Sequence, residues 1–288
     1  MKYRFMRDHS EYPLSKWAIF FNVSQSGFYS WQQSLSSRTS TLKRLKDKIR
    51  RIFDSSRGTY GAERICGVLR KEGVKSSYRR VKRLMDGMGL YSVHTRHRSH
   101  SLTDSSKARD DSYKNHAKGL IICRPMKLVT SDISYIRTKE GFVYLCAVRD
   151  AFTGLVLSHT CSERMTKELV LSAIRAAGLP KGVIFHSDRG SQYTASDVQC
   201  LLRRAGIIQS FSRVGKPGDN AWGESFFSIL KKESVHQRQF ATRTEAKLAM
   251  FDYIEGFYNS NRVQRRLGYI SPRQFVKDWN RKGYKKVA

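Results

Sequence analysis

Apolar residues in the first 90 positions recur every three or four residues, which is the period of an amphipathic helix. The segments with this pattern are 14–21, 42–53, 64–70 and 78–85. Ser24 is a predicted N-cap for a further short helix. Short helices joined by tight turns are typical of a DNA-reading helix-turn-helix, although any small helical hairpin has the same outline. The pattern therefore predicts an N-terminal helical unit over 1–40, with a helix-turn-helix as one interpretation, and a helix-turn-helix domain over 41–92.

The pattern changes to alternating strands and helices in the region 121–288. The apolar runs of strand length are 128–136, 142–150, 155–162, 183–188 and 207–211. Gly141 and the pair Thr153–Gly154 mark tight turns between the first three runs, which predicts an antiparallel meander. Helical patterns begin at Thr166 and at Ser196. The order of strands and helices predicts an α/β domain with a mixed five-stranded sheet and a C-terminal helical extension.

The charge of the chain points to a polyanionic partner. Lys and Arg total 54 against 24 acidic residues, which gives a formal charge of +30. Because the excess is spread along the whole chain, it favours nucleic acid; a membrane surface or an acidic protein is the alternative. The polar segment 93–120 is predicted to be a basic linker. In it, His94, His97 and His100 are interpreted as solvated residues rather than as zinc ligands.

Cysteine content and hydropathy indicate the compartment. The five cysteines are widely spaced and form no Cys-x-x-Cys motif, so reduced thiols in a cytoplasm are the simplest interpretation. No apolar stretch reaches the roughly 18–20 residues that span a bilayer. We therefore expect a cytoplasmic, nucleoid-associated protein with no membrane partner.

Three acidic residues lie in apolar segments, where a carboxylate is costly unless it is paired or binds metal. Asp132 interrupts one strand run, Asp188 ends another, and Glu224 lies on a later helical segment. Such oxygen ligands suit two Mg²⁺ or Mn²⁺ ions, which can support a phosphodiester displacement. Each acid has an ordinary alternative: a bulge residue for Asp132, a helix or turn cap for Asp188, and a surface position for Glu224. In a chain this basic, their combination predicts an enzyme that cuts or joins DNA.

Two sets of polar residues are candidate DNA contacts. After the second acid, Arg189, Gln192 and Tyr193 can donate to phosphate or stack on a base; a plain polar loop is the alternative. In the segment 78–85, basic residues surround an apolar face. These basic residues are Arg79, Arg80, Lys82 and Arg83. Such a helix can enter the major groove of DNA, and a solvated amphipathic helix is the alternative.

Several longer motifs together make the chain recognisable. They are His186–Tyr193, Ser212–Gly215, Asp219–Ala221, Glu224–Phe227, Tyr258–Asn259, Arg262 and Leu267–Pro272, with Tyr60–Gly61, Arg79–Met85 and Gly89–Leu90 upstream. On these residues the chain resembles, over most of its length, the catalytic subunit of the IS3-family insertion-sequence transposases, which are integrase-core proteins often called OrfB. It departs from the usual pattern at Gln264, where a His is common, and at Gly218, where an aromatic residue is common.

The resemblance implies a ribonuclease-H-like integrase core with Asp132, Asp188 and Glu224 as its catalytic DDE triad. It also implies that two divalent ions support nicking of an element's 3′ ends by water and then strand transfer by the freed 3′-OH. The expected DNA partners are the terminal inverted repeats and the target. The expected protein partners are an upstream OrfA-type protein, as a fusion or a separate chain, and further copies of this chain on DNA.

The shared motifs add further candidate DNA contacts. These are Arg213, Asn220, Asn259 and Arg262. For Asn259 and Arg262, capping or packing of the last helix is the rival interpretation. Two functions remain as alternatives to transposition: a DNA-binding protein with an inactive catalytic core, and a ribonuclease-H-type nuclease without strand transfer.

Overall fold

Residues 1–95, 113–213 and 221–282 are described by a computed structural model of the chain. The first of these ranges is helical, as predicted. Its α-helices are α1 (Lys2–Asp8), α2 (Leu14–Phe21), α3 (Gln25–Ser55), α4 (Ala62–Lys71) and α5 (Tyr78–Gly87). In none of the three ranges is a helix both long enough and apolar enough to cross a membrane.

Helix α3 is longer than the sequence pattern predicted. Ser24 caps it as expected, because the Ser24 hydroxyl accepts a hydrogen bond from the Gly27 N–H at 3.0 Å. The helix then extends over 31 residues and passes the boundary expected near residue 40. It contains no proline, and Gly27 in the first turn is its only glycine, so no residue ends it earlier. The two predicted helical units therefore share one continuous helix.

The second part of the chain forms the five predicted strands. They are β1 (Leu128–Thr138), β2 (Gly141–Asp150), β3 (Val156–Ser162), β4 (Ile184–Ser187) and β5 (Ile208–Phe211). Their order in the sheet is β3-β2-β1-β4-β5. Strands β1, β2 and β3 pair antiparallel, which confirms the meander, and β4 and β5 run parallel to β1. The mixed five-stranded sheet is confirmed, and it has the strand order of a ribonuclease-H-like fold.

Helices cover both faces of this sheet. They are α6 (Lys167–Ala176), α7 (Ser191–Thr194), α8 (Ser196–Arg204), α9 (Ala221–Glu233), α10 (Arg243–Phe251) and α11 (Pro272–Arg281), with a π-helical segment at Asp252–Asn259. One face of the sheet, with Val129 and Val148, packs against α6 and α8. The opposite face, with Ile136 and Leu145, packs against α9 and α10. Because alternate strand residues point to opposite faces, Asp132 shares the α9 face with Ile136.

The helical unit α3–α5 packs directly on the second part of the chain. One continuous hydrophobic core contains Leu69 of α4 together with Phe226 and Leu230 of α9. Gly67 of α4 faces Tyr269, and a Cβ at this glycine would lie 2.2 Å from the tyrosine ring. A larger residue at position 67 would therefore push the two parts of the molecule apart.

Polar contacts accompany this apolar packing. The Arg57 guanidinium and the Asp252 carboxylate form an ion pair at 2.6 Å. The Tyr60 hydroxyl accepts a hydrogen bond from the Val263 N–H at 2.6 Å and donates one to the Asn261 carbonyl at 3.1 Å. The helical unit is thus held against the π-helix and the segment that follows it by both core packing and directional bonds.

Candidate active site

Strand pairing brings Asp132 and Asp188 to the same edge of the sheet. Strands β1 and β4 pair in parallel, and Thr130 opposite His186 is the last pair of their register. Two residues further along, Asp132 lies on β1 and Asp188 directly follows the end of β4. Continuing the register places the two acids opposite each other at the carboxyl ends of neighbouring parallel strands, where ligand sites form in α/β sheets.

Local backbone groups orient both carboxylates. Oδ1 of Asp132 accepts a hydrogen bond from the Ile133 N–H at 2.8 Å, and Oδ1 of Asp188 accepts one from the Gly190 N–H at 3.1 Å. A Cβ at position 190 would lie 3.1 Å from the Asp188 carboxylate, so a glycine here allows the backbone to approach the acid closely. Asp132 is half-buried and Asp188 is exposed, so the pair is open to a ligand from solvent.

Burial and neighbouring acids raise the pKa of Asp132. Desolvation, the charge of Asp188 and, to a smaller extent, that of Glu224 raise this pKa from 3.8 to about 7, although the hydrogen bond from Ile133 opposes the change. Desolvation also raises the pKa of Asp188 and the pKa of Glu224. These raised pKa values show that the ionised forms of the acids are poorly compensated by the protein, and a bound cation would stabilise those ionised forms.

Helix α9 brings Glu224 and Lys231 to the same side of this site. The two residues are seven positions apart, or two helical turns, so they share one helix face. The Lys231 ammonium lies 5.1 Å from the centroid of the Tyr135 ring. Burial lowers the pKa of Lys231, while the nearby charge of Asp132 raises it. Lys231 is absent from the predicted site residues, although its two-turn spacing from Glu224 is a sequence signal that identifies it.

The three acids do not form a ready-made metal site. Within the described residues, no three His, Cys, Asp or Glu side chains are grouped closely enough to hold a metal ion. Asp132 and Asp188 are neighbours, whereas Glu224 acts on Asp132 more weakly from the first turn of α9. The structure therefore brings two of the predicted ligands together and holds the third nearby.

Tyr193 lies in the core, where a DNA base cannot reach it. Its side chain is 1% exposed, and its hydroxyl lies 2.8 Å from Oγ of Ser131, the residue before Asp132. The interpretation of Tyr193 as a base-stacking residue is therefore wrong, and its hydroxyl instead supports β1 beside the acid. The polar residues around it in the sequence conceal this burial.

Arg189 and Gln192 lie near the surface of the site but are held by backbone groups. Nε of Arg189 donates to the Ser212 carbonyl at 2.9 Å, and Nε2 of Gln192 donates to the Met165 carbonyl at 3.2 Å. These bonds fix the segment after β4 against its surroundings. Contact of either residue with DNA stays a prediction.

Asn259 and Arg262 are core residues, which supports the packing interpretation. The Asn259 side chain is 1% exposed, and its amide exchanges two hydrogen bonds of 3.0 Å with the backbone of Val156 at the start of β3. Arg262 is 2% exposed and donates two hydrogen bonds to Glu233, at 2.8 and 2.7 Å. The DNA contacts expected of these two buried residues are therefore wrong.

Glu233 is a buried acid of a different kind from those of the triad. Burial alone would raise its pKa, but hydrogen bonds from His94 and Arg262 and the charge of Arg262 lower it to about 2. His94 Nε2 lies 2.6 Å from Oε1 of Glu233. The interpretation of His94 as a solvated linker residue is therefore wrong, because the histidine joins the helical unit to the end of α9.

The predicted basic face of α5 is present. Its members Arg79, Arg80, Lys82 and Arg83 are all exposed. Val81 and Met85 lie on the buried side, and Ser77 caps the helix. Contact of this face with DNA stays a prediction. Of the two remaining candidates, Arg213 is exposed, and Asn220 lies outside the described residues.

Known protein families match three parts of the chain. Two integrase core domain families match residues 123–217 and 224–278, and an HTH-like domain family matches residues 41–98. The catalytic core domain of BIV integrase, a solved structure, is 19% identical and is matched over 56% of this chain and 99% of that chain, with a TM-score of 0.41.

Two insertion-sequence transposases match this chain over nearly their whole length. The transposase for insertion sequence element IS904 of Lactococcus lactis is 38% identical over 81% of this chain and 93% of that protein. The transposase InsF for insertion sequence IS3A of Escherichia coli is 32% identical over 96% of this chain and 98% of that protein. The chain therefore belongs to the IS3-type family of insertion-sequence transposases, which act on DNA through an integrase core.

Proposed function

We propose that this transposase works through a DDE triad in which Asp132, Asp188 and Glu224 hold two Mg²⁺ or Mn²⁺ ions. The observation that carries the proposal is the pairing of Asp132 with Asp188, which contributes to a pKa of about 7 for Asp132. Lys231 offsets only part of this negative charge. Oxygen donors with excess negative charge fit a hard divalent cation.

The protein residues orient the reaction, and water and DNA supply the nucleophiles. Ions bound at these oxygens would stabilise the attacking and leaving oxygens of a phosphodiester displacement. The Ile133 and Gly190 N–H groups each hold one carboxylate oxygen in place, which fixes the acids before the substrate arrives. Lys231 would contact a DNA phosphate beside Glu224. We propose nicking of the element's 3′ ends by water, followed by strand transfer by the freed 3′-OH.

DNA recognition is assigned to the helical unit. We propose that α5 enters the major groove while Arg79, Arg80, Lys82 and Arg83 hold phosphates, because its basic face is exposed and its apolar face is packed. The net charge of +30 supports phosphate contacts elsewhere as well, including those of Arg189, Gln192 and Arg213. The expected DNA partners are the terminal inverted repeats and the target.

Transposition joins two DNA ends, so we propose that more than one copy of the chain acts on DNA. An upstream OrfA-type protein, fused to this chain or separate, is the further proposed partner. We also propose that the protein acts in the cytoplasm, on the nucleoid.

A strand-transfer assay tests the proposal. The substrate is a labelled DNA duplex carrying the inverted repeat that flanks the coding sequence, incubated with Mg²⁺ or with EDTA. We expect joined products only with Mg²⁺. Nicking without joining, even after addition of the upstream protein, would favour the nuclease, and DNA binding without cleavage would favour an inactive core.

A further inference from the structure

Helix α9 presents opposite faces to the candidate active site and to the helical unit α3–α5. Glu224 and Lys231 lie on one face. Positions 224 and 226 are about 200° apart around the helix, so Phe226, Leu230 and Glu233 lie on the other face. Phe226 and Leu230 are buried in the core that also contains residues of α4 and α5. One rigid element therefore contacts both the proposed chemistry and the proposed DNA-reading part.

The far end of α9 is held by a buried ionic cluster. The side chain of Glu233 is 0% exposed. Arg262 donates two hydrogen bonds to its carboxylate, at 2.8 and 2.7 Å, and the Tyr253 hydroxyl donates a third at 2.8 Å. His94 Nε2 lies 2.6 Å and Arg64 Nη1 3.8 Å from Oε1 of Glu233. Of the four partners, Arg64 thus lies on α4 and His94 in the segment that follows α5.

His94 follows α5 closely in the chain. Helix α5 ends at Gly87, and the segment Val93–Thr95 forms a single 3₁₀ turn that lies against α9. Just before this turn, the Ser92 hydroxyl donates to the Thr59 carbonyl at 2.9 Å, which fixes the segment to the turn between α3 and α4. A displacement of α5 on DNA would therefore reach Glu233 through a short, hydrogen-bonded segment.

We propose that Glu233 is a positioning residue, through which the helical unit α3–α5 sets the placement of α9 and so of Glu224 and Lys231. Contact of α5 with an element end then favours the arrangement in which Glu224 joins the two aspartates. This inference rests on the proposed function, because it concerns the placement of its third acid.

The test removes the contacts from the helical unit and keeps Glu233 paired. The double variant His94→Ala with Arg64→Ala leaves the two hydrogen bonds from Arg262, so no buried charge loses all its partners. The single variant His94→Gln keeps a hydrogen-bond donor near the same place. It should therefore retain most of the strand transfer of the wild type. Replacing Glu233 itself would isolate Arg262 and confuse misfolding with mispositioning.

A matched control removes other ion pairs across the same contact surface. Arg57→Ala with Glu63→Gln breaks the Arg57–Asp252 pair at 2.6 Å and the Glu63–Arg265 pair at 2.7 Å. Neither pair involves α9. The control therefore weakens the same docking without touching the residues that hold Glu233.

The measurements are thermal stability, affinity for the flanking-repeat duplex, strand transfer, and hydrogen–deuterium exchange of peptides covering 221–233 with and without the duplex. In the wild type and the control, we expect the duplex to slow exchange in α9. In the double variant, we expect affinity within about threefold, strand transfer reduced about tenfold or more, and no DNA-dependent slowing in α9.

Two results would overturn the inference. One is a double variant with wild-type strand transfer and wild-type slowing of exchange. The other is a parallel loss of thermal stability, DNA affinity and strand transfer, which would give Glu233 a purely structural role. If the wild type joins no DNA at all, the proposed function fails, and the exchange of α9 still decides the inference. In that case, DNA-dependent slowing in the wild type but not in the double variant supports it.

Discussion

Helix α9 carries acidic residues toward both of its ends, and their surroundings are opposite in kind. Glu233 is buried among Arg262, Tyr253 and His94, which donate to it, and its pKa is lowered to about 2. At the other end, Glu224 approaches Asp132, whose pKa burial and the charges of neighbouring acids raise to about 7. The Glu233 carboxylate accepts four hydrogen bonds, whereas at the Asp132 site two backbone N–H groups face three acids.

This difference separates an acid that stabilises the fold from acids that are suited to bind a ligand. Burial alone does not distinguish them, because a buried carboxylate is tolerated wherever the protein supplies hydrogen bonds and positive charge. Asp150 belongs with Glu233 in this respect, since its carboxylate accepts bonds from the Met126 N–H at 3.0 Å and the Thr153 N–H at 2.8 Å. What distinguishes the Asp132 site is charge that the protein leaves uncompensated.

The largest expected effect is on catalysis. Asp188→Asn removes a proposed metal ligand. Because a bound metal ion supplies several kcal/mol of transition-state stabilisation, the rate of strand transfer should fall by about a thousandfold. Affinity for the flanking-repeat duplex should stay unchanged, and thermal stability should not fall, because the variant removes a charge that repels Asp132. Asp197→Asn, which alters an exposed acid paired with Lys167, is the matched control and should retain activity. Strand transfer by Asp188→Asn near the wild-type rate would contradict the role of this acid.

The largest expected effect on stability is at the other end of the helix. Arg262→Met leaves Glu233 buried without its two hydrogen bonds from Arg262 and without the guanidinium charge, so the free energy of unfolding should fall by about 3–5 kcal/mol. Urea denaturation measures this. Arg57→Met is the matched control, because its ion pair with Asp252 is exposed and should contribute less than about 1 kcal/mol. Equal losses in the two variants would mean that burial of the Glu233 cluster has no energetic consequence.

The fold was largely predictable because its signals are local and periodic. Alternating apolar runs and turn residues such as Gly141 identified all five strands to within a few residues. The sequence pattern does not predict the continuation of α3 past residue 40, because residues 36–41 are all polar and interrupt the apolar period. The pairing of Asp132 with Asp188 follows from the parallel register, which a reader of the sequence can anticipate only after assigning both strands.

The site was less predictable wherever burial decides a residue's role. Tyr193, Asn259 and Arg262 are polar residue types in polar motifs, and nothing local indicates that each is nearly fully buried. Glu233 follows two lysines and looks like a surface acid. Its partners lie far away in the chain, so only the tertiary structure reveals the cluster.

Low pH should remove the stability that the buried Glu233 cluster contributes. A pKa of about 2 in the folded chain, against an ordinary 4.5, means that the unfolded chain binds the proton more readily. This stability is therefore present above pH 4.5 and lost as the pH falls toward 2, and it amounts to about 3 kcal/mol. Urea midpoints measured across this range should fall less in the double variant Glu233→Leu with Arg262→Met. An equal fall in both proteins would assign the acid sensitivity to other groups.

The smallest expected effect is the pH dependence of stability that comes from Asp132, and its sign is opposite to that of Glu233. The pKa of Asp132 is raised in the folded chain, so its protonated form is favoured there, and stability is lost as the pH rises from about 4 through about 7. Asp132→Asn keeps the acceptor for the Ile133 N–H and removes the charge. In EDTA at pH 8 it should therefore stabilise the protein by about 2 kcal/mol, less than the full linkage value because the carboxylate retains contact with water. Mg²⁺ should raise the melting temperature of the wild type and leave the melting temperature of this variant unchanged. A variant that is less stable than the wild type in EDTA would mean that the protein compensates the charge of Asp132.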